Sequence, residues 1–211
     1  CKEKKSPLTI VRDEDMELCE MDVSHLLFSY KDMRYYTQMC GSYQMANASL
    51  AIEACRQLED KLPLNEEQLI IGVRQTYWRG RFEVVCHDPL IVVDGAHNED
   101  GAAALADAVK NLLPDKKIHA VMGVFKDKEY EKMVSILQPL MADVVTVKAP
   151  GPRGLPAEEL ADVWEKAGCT SVSTAESVSD GLKKAMNRCE KEDTILLFGS
   201  LSLLSQLKWR S

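Results

Sequence analysis

From about Trp78 onward, the chain alternates short apolar segments with longer amphipathic ones. The apolar segments predict strands at 82–86, 90–94, 117–123, 143–147, 170–174 and 194–198. The segments between them predict helices at 98–113, 128–140, 156–168 and 177–190, with a last helix from about Leu201. Alternation at this spacing is typical of a parallel, doubly wound sheet with right-handed crossovers, so the sequence predicts an α/β fold.

Residues 1 to about 75 do not follow this alternation. Two segments, Thr9–Val11 and Leu26–Tyr30, predict short antiparallel strands. The periodicity predicts a helix over 47–62, which Pro63 ends, and a shorter helix from about Asn65 to about Gln75. The apolar face of the longer helix is formed by Ala48, Leu50, Ala51, Ala54 and Leu58. The change of pattern predicts two regions of different architecture.

The overall composition excludes several classes of protein. The chain has 211 residues, of which 45% are hydrophobic, and this is enough to form a core. Its formal net charge of -7 argues against a nucleic-acid or membrane-surface partner, because those partners require a basic face. No apolar run approaches the roughly 20 residues of a membrane helix, and the first residues lack the apolar core expected of a signal peptide. We therefore predict a cytoplasmic protein.

Seven cysteines are scattered along the chain, and no C-x-x-C pair occurs. An odd number without paired spacing favours neither a disulfide framework nor a zinc site. We predict reduced thiols that act mainly in packing.

A turn with several chemically active groups follows the buried strand at 90–94. Asp94, Gly95 and His97 lie in this turn, and Asn98 is placed to cap the next helix. Ligands of open α/β sheets bind outside the carboxyl ends of the strands, where this turn lies. Asp94 is suited to accept hydrogen bonds from ribose hydroxyls, and His97 to orient an anionic or amine substrate. The alternative is structural: the aspartate caps the helix, and the backbone satisfies the histidine.

Further candidate residues lie at other predicted strand ends and near one predicted helix start. Arg81 offers a planar guanidinium for phosphate oxygens, unless it belongs to a solvated linker. Asn47 either caps its helix or presents its amide to an adenine edge. Lys126, Lys128 and Ser200 follow strands whose carboxyl ends share the predicted ligand edge, and each has a structural alternative at a helix start.

The glycine-rich and proline-rich loops contain no common phosphate-binding motif. G-x-x-x-x-G-K-[ST] does not occur, and Gly95 and Gly101 do not form G-x-G-x-x-G. The loop over 150–156 is interpreted as a rigid structural connection.

Four motifs occur in an order that resembles folylpolyglutamate synthases and dihydrofolate synthases of the Mur ligase superfamily. They are Gly41-x-Tyr43-Gln44-x-x-Asn47-Ala48, Trp78-x-Gly80-Arg81-x-Glu83, Asp94-Gly95-Ala96-His97-Asn98-x-Asp100-Gly101 and Gly199-Ser200-Leu201. Gly123-x-x-x-Asp127-Lys128 and Pro152-Arg153-x-Leu155-Pro156 also resemble this family. The similarity runs from about residue 26 to 208, and its specificity comes from the combination of motifs.

The resemblance implies both a fold and a reaction. Residues 78–211 would form the family's C-terminal Rossmann-like domain, a mostly parallel sheet flanked by helices. Residues 1–77 would be the end of the central ATPase domain and a linker. The family's enzymes use ATP to join L-glutamate to the carboxylate of folate or dihydropteroate through an acyl phosphate. The alternative is a Mur-type ligase that adds an amino acid to a cell-wall precursor. The motifs that contain Arg81 and His97 favour the folate enzymes over this alternative.

The same resemblance implies roles for individual residues. Asn47 would face adenine, Arg81 the phosphates, and Asp94 the ribose or the cleft near it. His97 and Ser200 resemble residues that the family places beside the incoming glutamate.

The resemblance also implies that part of the enzyme lies outside this chain. The first residue is not methionine, and the chain is expected to begin partway through a longer protein. The family's P-loop and Mg²⁺ ligands would lie in the N-terminal part of the ATPase domain, ahead of residue 1. We therefore place no metal site in this chain and expect this fragment alone to be inactive. The resemblance also implies a monomer, as is usual in the family.

Overall fold

The structure is a computed structural model of the chain, and it describes residues 3–4, 7–58, 61 and 63–207. The chain divides into two compact units, Cys1–Trp78 and Arg79–Ser211. Among the described residues, none of the helices combines the length and the apolar character that crossing a bilayer requires.

The first unit contains a three-stranded antiparallel sheet in its described part. Its strands, β1 (Met16–Met21), β2 (Leu26–Tyr30) and β3 (Met33–Thr37), are neighbours in sequence order. The turn between β2 and β3 consists of Lys31 and Asp32, whose φ angles are 49° and 67°. Two successive positive φ angles are the backbone of a tight two-residue hairpin, and this turn fixes the register of the two strands.

Helices α1 (Tyr43–Gln57) and α2 (Glu66–Gln75) pack against this sheet. The core of the unit contains Leu26, Phe28, Tyr30, Tyr35, Ile52 and Leu69. Helix α2 begins with a capping box: the Asn65 side chain accepts the Gln68 N–H, and the Gln68 side chain accepts the Asn65 N–H, both at 2.9 Å. This cap confirms the predicted start of α2 near Asn65.

The strand prediction for this unit is partly wrong. Leu26–Tyr30 is a strand, but Thr9–Val11 is not, and the neighbour of β2 on that side is β1. Most side chains of β1 are exposed, and two of them, Glu17 and Glu20, are acidic. As an edge strand, β1 pairs with a neighbouring strand along only one of its edges, and most of its side chains are exposed. Its sequence therefore lacks the alternation of apolar and polar residues by which strands are recognised.

Helix α1 begins at Tyr43 rather than at Asn47. Gly41 precedes it with a φ of 105°, a conformation that favours glycine. Asn47 is therefore a residue of the helix and not its cap, and its side-chain Nδ2 donates to Gln44 Oε1 at 3.1 Å. The helix ends at Gln57, earlier than the predicted end at Leu62, a residue that lies outside the described part of the chain.

The buried face of α1 is more polar than predicted. Leu50 and Leu58, which belong to the predicted apolar face, are 56% and 41% exposed. Glu53 is buried instead, and its carboxylate accepts hydrogen bonds from the Tyr30 hydroxyl at 2.9 Å and from the Lys31 ammonium at 2.7 Å. Burial of a carboxylate requires such partners, so apolar periodicity alone does not predict the orientation of this helix.

The described part of the second unit is built on a six-stranded sheet. Its strands are β4 (Glu83–His87), β5 (Leu90–Val93), β6 (Ile118–Met122), β7 (Asp143–Val147), β8 (Val172–Ala175) and β9 (Thr194–Phe198). Their spatial order is β4-β5-β9-β6-β7-β8, and only β4 runs antiparallel to its neighbour. This topology confirms the predicted α/β fold with a mostly parallel sheet.

Four helices flank this sheet within the described residues: α3 (Glu99–Leu112), α4 (Tyr130–Leu137), α5 (Ala157–Lys166) and α6 (Val178–Met186). Asn98 caps α3 as predicted, since its Oδ1 accepts the Gly101 N–H at 2.8 Å. A short 3-10 helix over Leu201–Gln206 follows β9. All residues of β6, β7 and β9 are buried, as is expected for central parallel strands covered on both faces.

Candidate functional site

The carboxyl ends of three neighbouring strands, β5, β9 and β6, meet at one edge of the sheet. His97 follows β5, Ser200 follows β9, and Lys128 follows β6. These side chains line a cavity of about 270 Å³, together with Phe125, Arg153, Leu201 and Ser202. The structure therefore brings His97 and Ser200 to one cavity, at the edge where ligands of open α/β sheets bind.

Asp94 braces the turn that leads into this cavity. Its side chain is buried, and its two oxygens accept backbone hydrogen bonds, Oδ2 from Phe82 at 2.8 Å and Oδ1 from Ala96 at 2.7 Å. Burial raises the pKa of Asp94, while these two N–H groups oppose that rise. The carboxylate thus holds two loop segments together.

His97 is half-buried, with one ring nitrogen held by the backbone. Its Nδ1 lies 2.8 Å from the carbonyl oxygen of Gly95. A carbonyl can only accept, so Nδ1 carries the proton and Nε2 of the neutral ring is an acceptor. This tautomer suits a ligand that donates an N–H into the cavity.

Gly95 allows Arg81 to approach the turn. The Gly95 N–H donates to the carbonyl of Gly80 at 2.8 Å. A Cβ atom at position 95 would lie 2.7 Å from Arg81 Nη1 and 2.4 Å from Leu201 Cδ2. A residue without a side chain is therefore needed for the half-buried guanidinium and the cavity-lining leucine to occupy their places.

Ser200 is 5% exposed and begins the 3-10 helix after β9. Its Oγ accepts the Ser202 N–H at 3.2 Å and lies 2.8 Å from the Ser202 hydroxyl oxygen. The preceding residue, Gly199, has a φ of 111°, and a Cβ there would lie 2.4 Å from the carbonyl oxygen of Gly123. The ends of β9 and β6 therefore approach closely, and this approach sets Ser200 at the cavity wall.

The sequence interpretation of residues 150–156 as only structural misses the place of Arg153. Its guanidinium lies 4.6 Å from the centre of the Phe125 ring, and its Nη1 lies 3.7 Å from Asp127 Oδ2. Its carbonyl accepts the Lys126 N–H at 2.9 Å, so the two loops are joined by their backbones. The motif that contains Pro152 and Arg153 indicated the family resemblance, but it did not assign a role to the arginine.

Asn47 belongs to the first unit, whereas all residues that line the cavity belong to the second. Its side chain is exposed in the described structure. A contact of Asn47 with adenine stays a prediction.

Comparison with known proteins assigns the second unit to a family and finds relatives for most of the chain. Residues 80–201 match the family described as Mur ligase, glutamate ligase domain. A probable bifunctional folylpolyglutamate synthase/dihydropteroate synthase of Haloferax volcanii is 35% identical over 170 residues, which are 81% of this chain and 20% of that protein. A dihydrofolate synthase/folylpolyglutamate synthase of Bacillus subtilis is 31% identical over 183 residues, which are 86% of this chain and 41% of that protein.

A solved structure of Mycobacterium tuberculosis folylpolyglutamate synthase complexed with ADP is similar in fold. The TM-score is 0.77 and the sequence identity is 25%, and the match covers 90% of this chain and 46% of that one. The chain therefore spans less than half the length of each of these relatives.

Proposed function

This chain belongs to the Mur ligase family through its glutamate ligase domain, and on that premise we propose that it is part of an ATP-dependent ligase. The ligase adds L-glutamate to the carboxylate of folate or dihydropteroate and releases ADP and phosphate. The proposal rests on one observation. Residues 80–201, which match the family, form a cavity at the strand ends, and this cavity is lined by His97, Lys128, Arg153 and Ser200.

The cavity has the chemistry that an incoming glutamate requires. Glutamate brings two carboxylates and an amine, and Lys128 and Arg153 supply positive charge for the carboxylates. Nε2 of His97 is an acceptor for the amine N–H, and Ser200 lines the same cavity. We assign His97 and Ser200 to the positioning of glutamate.

The reaction proceeds in two steps. A carboxylate oxygen of the pterin substrate attacks the γ-phosphorus of ATP, which forms an acyl phosphate and releases ADP. The free amine of glutamate then attacks the acyl carbon, the bond from that carbon to the phosphate oxygen breaks, and the nitrogen loses a proton to solvent, so that an amide bond replaces the acyl phosphate bond. His97 and Ser200 orient the amine for the second step.

We assign Arg81 and Asn47 to the nucleotide, at its phosphates and its adenine. Asp94 is assigned to the ribose side, where it also positions Arg81 and the turn before α3. ATP chemistry of this kind requires a divalent cation such as Mg²⁺, and we place its ligands in the N-terminal part of the ATPase domain, a part that this chain does not contain.

The remaining partners follow from charge and from the family. The net charge of -7 disfavours a nucleic-acid or membrane-surface partner. We propose a cytoplasmic monomer in which the ATPase domain and this chain act together, and the isolated chain is expected to be inactive.

An assay of ADP release tests the proposal. The full-length protein that contains this chain is incubated with ATP, glutamate, and either dihydropteroate or tetrahydrofolate. We expect glutamate-dependent turnover, and its absence from the 211-residue chain alone. Arg81→Ala should lower kcat/KM by at least about 100-fold, because the charge on the transferred phosphate then lacks its arginine partner.

The control is Arg34→Ala, since Arg34 is exposed on β3. Turnover with a muramyl nucleotide acceptor, and with neither pterin, would replace the folate proposal by a Mur-type cell-wall ligase. Full activity of Arg81→Ala would remove that residue from the nucleotide site.

A further inference from the structure

A second cluster of reactive side chains lies at the opposite edge of the large sheet. His119 is near the start of β6, Asp193 directly precedes β9, and Cys189 lies in the turn after α6. We propose that His119, Cys189 and Asp193 bind a divalent transition-metal ion of the zinc type. The amino-terminal ends of the parallel strands form this edge, so the cluster is separate from the candidate site at the carboxyl ends.

The geometry of His119 is that of a metal-binding histidine with a carboxylate behind it. The ring is fully buried, and its Nδ1 lies 2.6 Å from Asp143 Oδ2 across the β6–β7 register. Arg188 Nη1 holds the other oxygen of Asp143 at 3.3 Å. A carboxylate that accepts the Nδ1–H fixes the ring and leaves the Nε2 lone pair for a ligand bond.

The three ligand atoms are already close together. His119 Nε2 lies 3.0 Å from Asp193 Oδ2, and one ligand atom from each of His119, Cys189 and Asp193 can be chosen so that all lie within 4.8 Å of one another. The Glu190 N–H donates to Asp193 Oδ2 at 2.9 Å, so the orientation of this carboxylate is fixed by the backbone. Imidazole, carboxylate and thiolate are the ligands that zinc takes, at about 2.0–2.3 Å.

The alternative is a closed ion network in which a protonated His119 donates to both carboxylates. The position of Cys189 favours the metal over this alternative, because the ion network makes no use of the thiol, although its Sγ lies within 4.8 Å of ligand atoms of both His119 and Asp193. A bound cation would take this group as the thiolate, with its proton released to solvent. Three protein ligands leave a fourth position for water.

No local motif announces this site. The three residues are at positions 119, 189 and 193, and only the fold brings the histidine to the other two. Cysteine spacing did not favour a zinc site, and the family resemblance placed the metal ligands ahead of residue 1, so a metal site at this edge departs from both expectations.

Cobalt and zinc binding to the chain after treatment with a chelator tests the proposal. We expect one Co²⁺ per chain, with the strong near-ultraviolet absorption of a cobalt–thiolate bond, and displacement of that Co²⁺ by Zn²⁺. Cys189→Ser should abolish the absorption and weaken zinc binding by at least about tenfold. Asp143→Asn should weaken it by about 10–100-fold, because it removes the group that orients His119.

Cys86→Ser is a closely matched control. Cys86 and Cys189 are both partly buried against the same core, and each thiol lies close to a backbone carbonyl oxygen, at 3.5 Å and 3.4 Å. This variant should keep the absorption and the zinc affinity. Asp193→Asn, with circular dichroism of every variant, separates loss of a ligand from failure to fold.

Two outcomes would overturn the proposal. One is the absence of metal binding by the folded parent chain. The other is the same cobalt absorption in the Cys189 and Cys86 variants. Either result would assign the cluster to the closed ion network. None of these readouts depends on ligase activity, so the test is independent of the proposed function.

Discussion

Gly95 shows how one residue determines the shape of the candidate site. Arg81 and Leu201 both occupy the space that a side chain at position 95 would fill. The same turn holds Asp94 and His97 by backbone hydrogen bonds. The site is therefore sensitive to the volume of a residue that makes no chemical contribution itself.

We predict that Gly95→Ala displaces Arg81 and Leu201 and destabilises the second unit by about 1–3 kcal/mol, as overpacking of a buried position does. Urea unfolding followed by circular dichroism measures this change. Gly72→Ala is the control, because a Cβ at this position of α2 would have no described atom within 4 Å apart from its chain neighbours and the backbone of its own helix. It should leave stability unchanged or raise it by up to about 1 kcal/mol. Equal stabilities of the two variants would contradict the packing argument.

The sequence identified the residues that end predicted strands, and it missed contacts made between loops. His97 and Ser200 were expected at one edge because the ends of parallel strands meet there, and the structure places them in one cavity. Arg153 reaches the same cavity through the pairing of its loop with the Phe125 loop, a contact that periodicity does not encode. Its place could not be predicted from spacing.

At the scale of elements, α1 shows that polar contacts can decide which face of a helix is buried. The hydrogen bond from Lys31 lowers the pKa of Glu53 below its ordinary value of 4.5, burial opposes this, and the bond from Tyr30 adds to it. A carboxylate whose pKa is lowered in the folded state stabilises that state above its unfolded pKa. This contribution is lost as the pH falls through the folded pKa.

We therefore expect Glu53→Gln to cost about 1–3 kcal/mol at neutral pH and to reduce the loss of stability on acidification below pH 4.5. Denaturant midpoints of both proteins across this pH range measure the effect. Glu17→Gln, at an exposed position of β1, should change neither value appreciably. If the parent and the Glu53 variant lost stability in parallel on acidification, Glu53 would not contribute in this way.

Elements with a strong apolar pattern were predicted, and elements held mainly by pairing were not. The central strands of the large sheet are buried on both faces, so their sequences are continuous and apolar. By contrast, β1 and β3 expose many of their side chains and owe their conformation to hydrogen bonds with β2.

At the scale of the whole molecule, the two units differ in how much of their structure is buried. The second unit has a sheet with a core that includes Val93, Val121, Val145 and Leu197. The first unit has a small sheet with two helices. Because small units bury a smaller fraction of their surface, their independent stability differs.

We predict that residues 79–211 fold on their own, with a free energy of unfolding of about 5–15 kcal/mol. Expression of this segment and urea unfolding, with tryptophan fluorescence and circular dichroism as probes, provide the test. Residues 1–78, expressed in the same way, are expected to be marginally stable. A segment 79–211 without a cooperative transition would show that its core depends on the first unit.

The order of strands in the large sheet has a consequence for synthesis on the ribosome. The last strand in sequence, β9, lies between β5 and β6, so it joins the β4–β5 hairpin to the β6–β7–β8 group. A nascent chain that has not yet exposed residues 194–198 carries two unconnected half-sheets with open edges. His97 and Phe125 belong to different halves, and Ser200 follows the joining strand. The strand that joins the two halves of the candidate site, β9, is therefore synthesised after all the other strands. Until it emerges, the open edges of the two half-sheets are available to chaperones or to other chains.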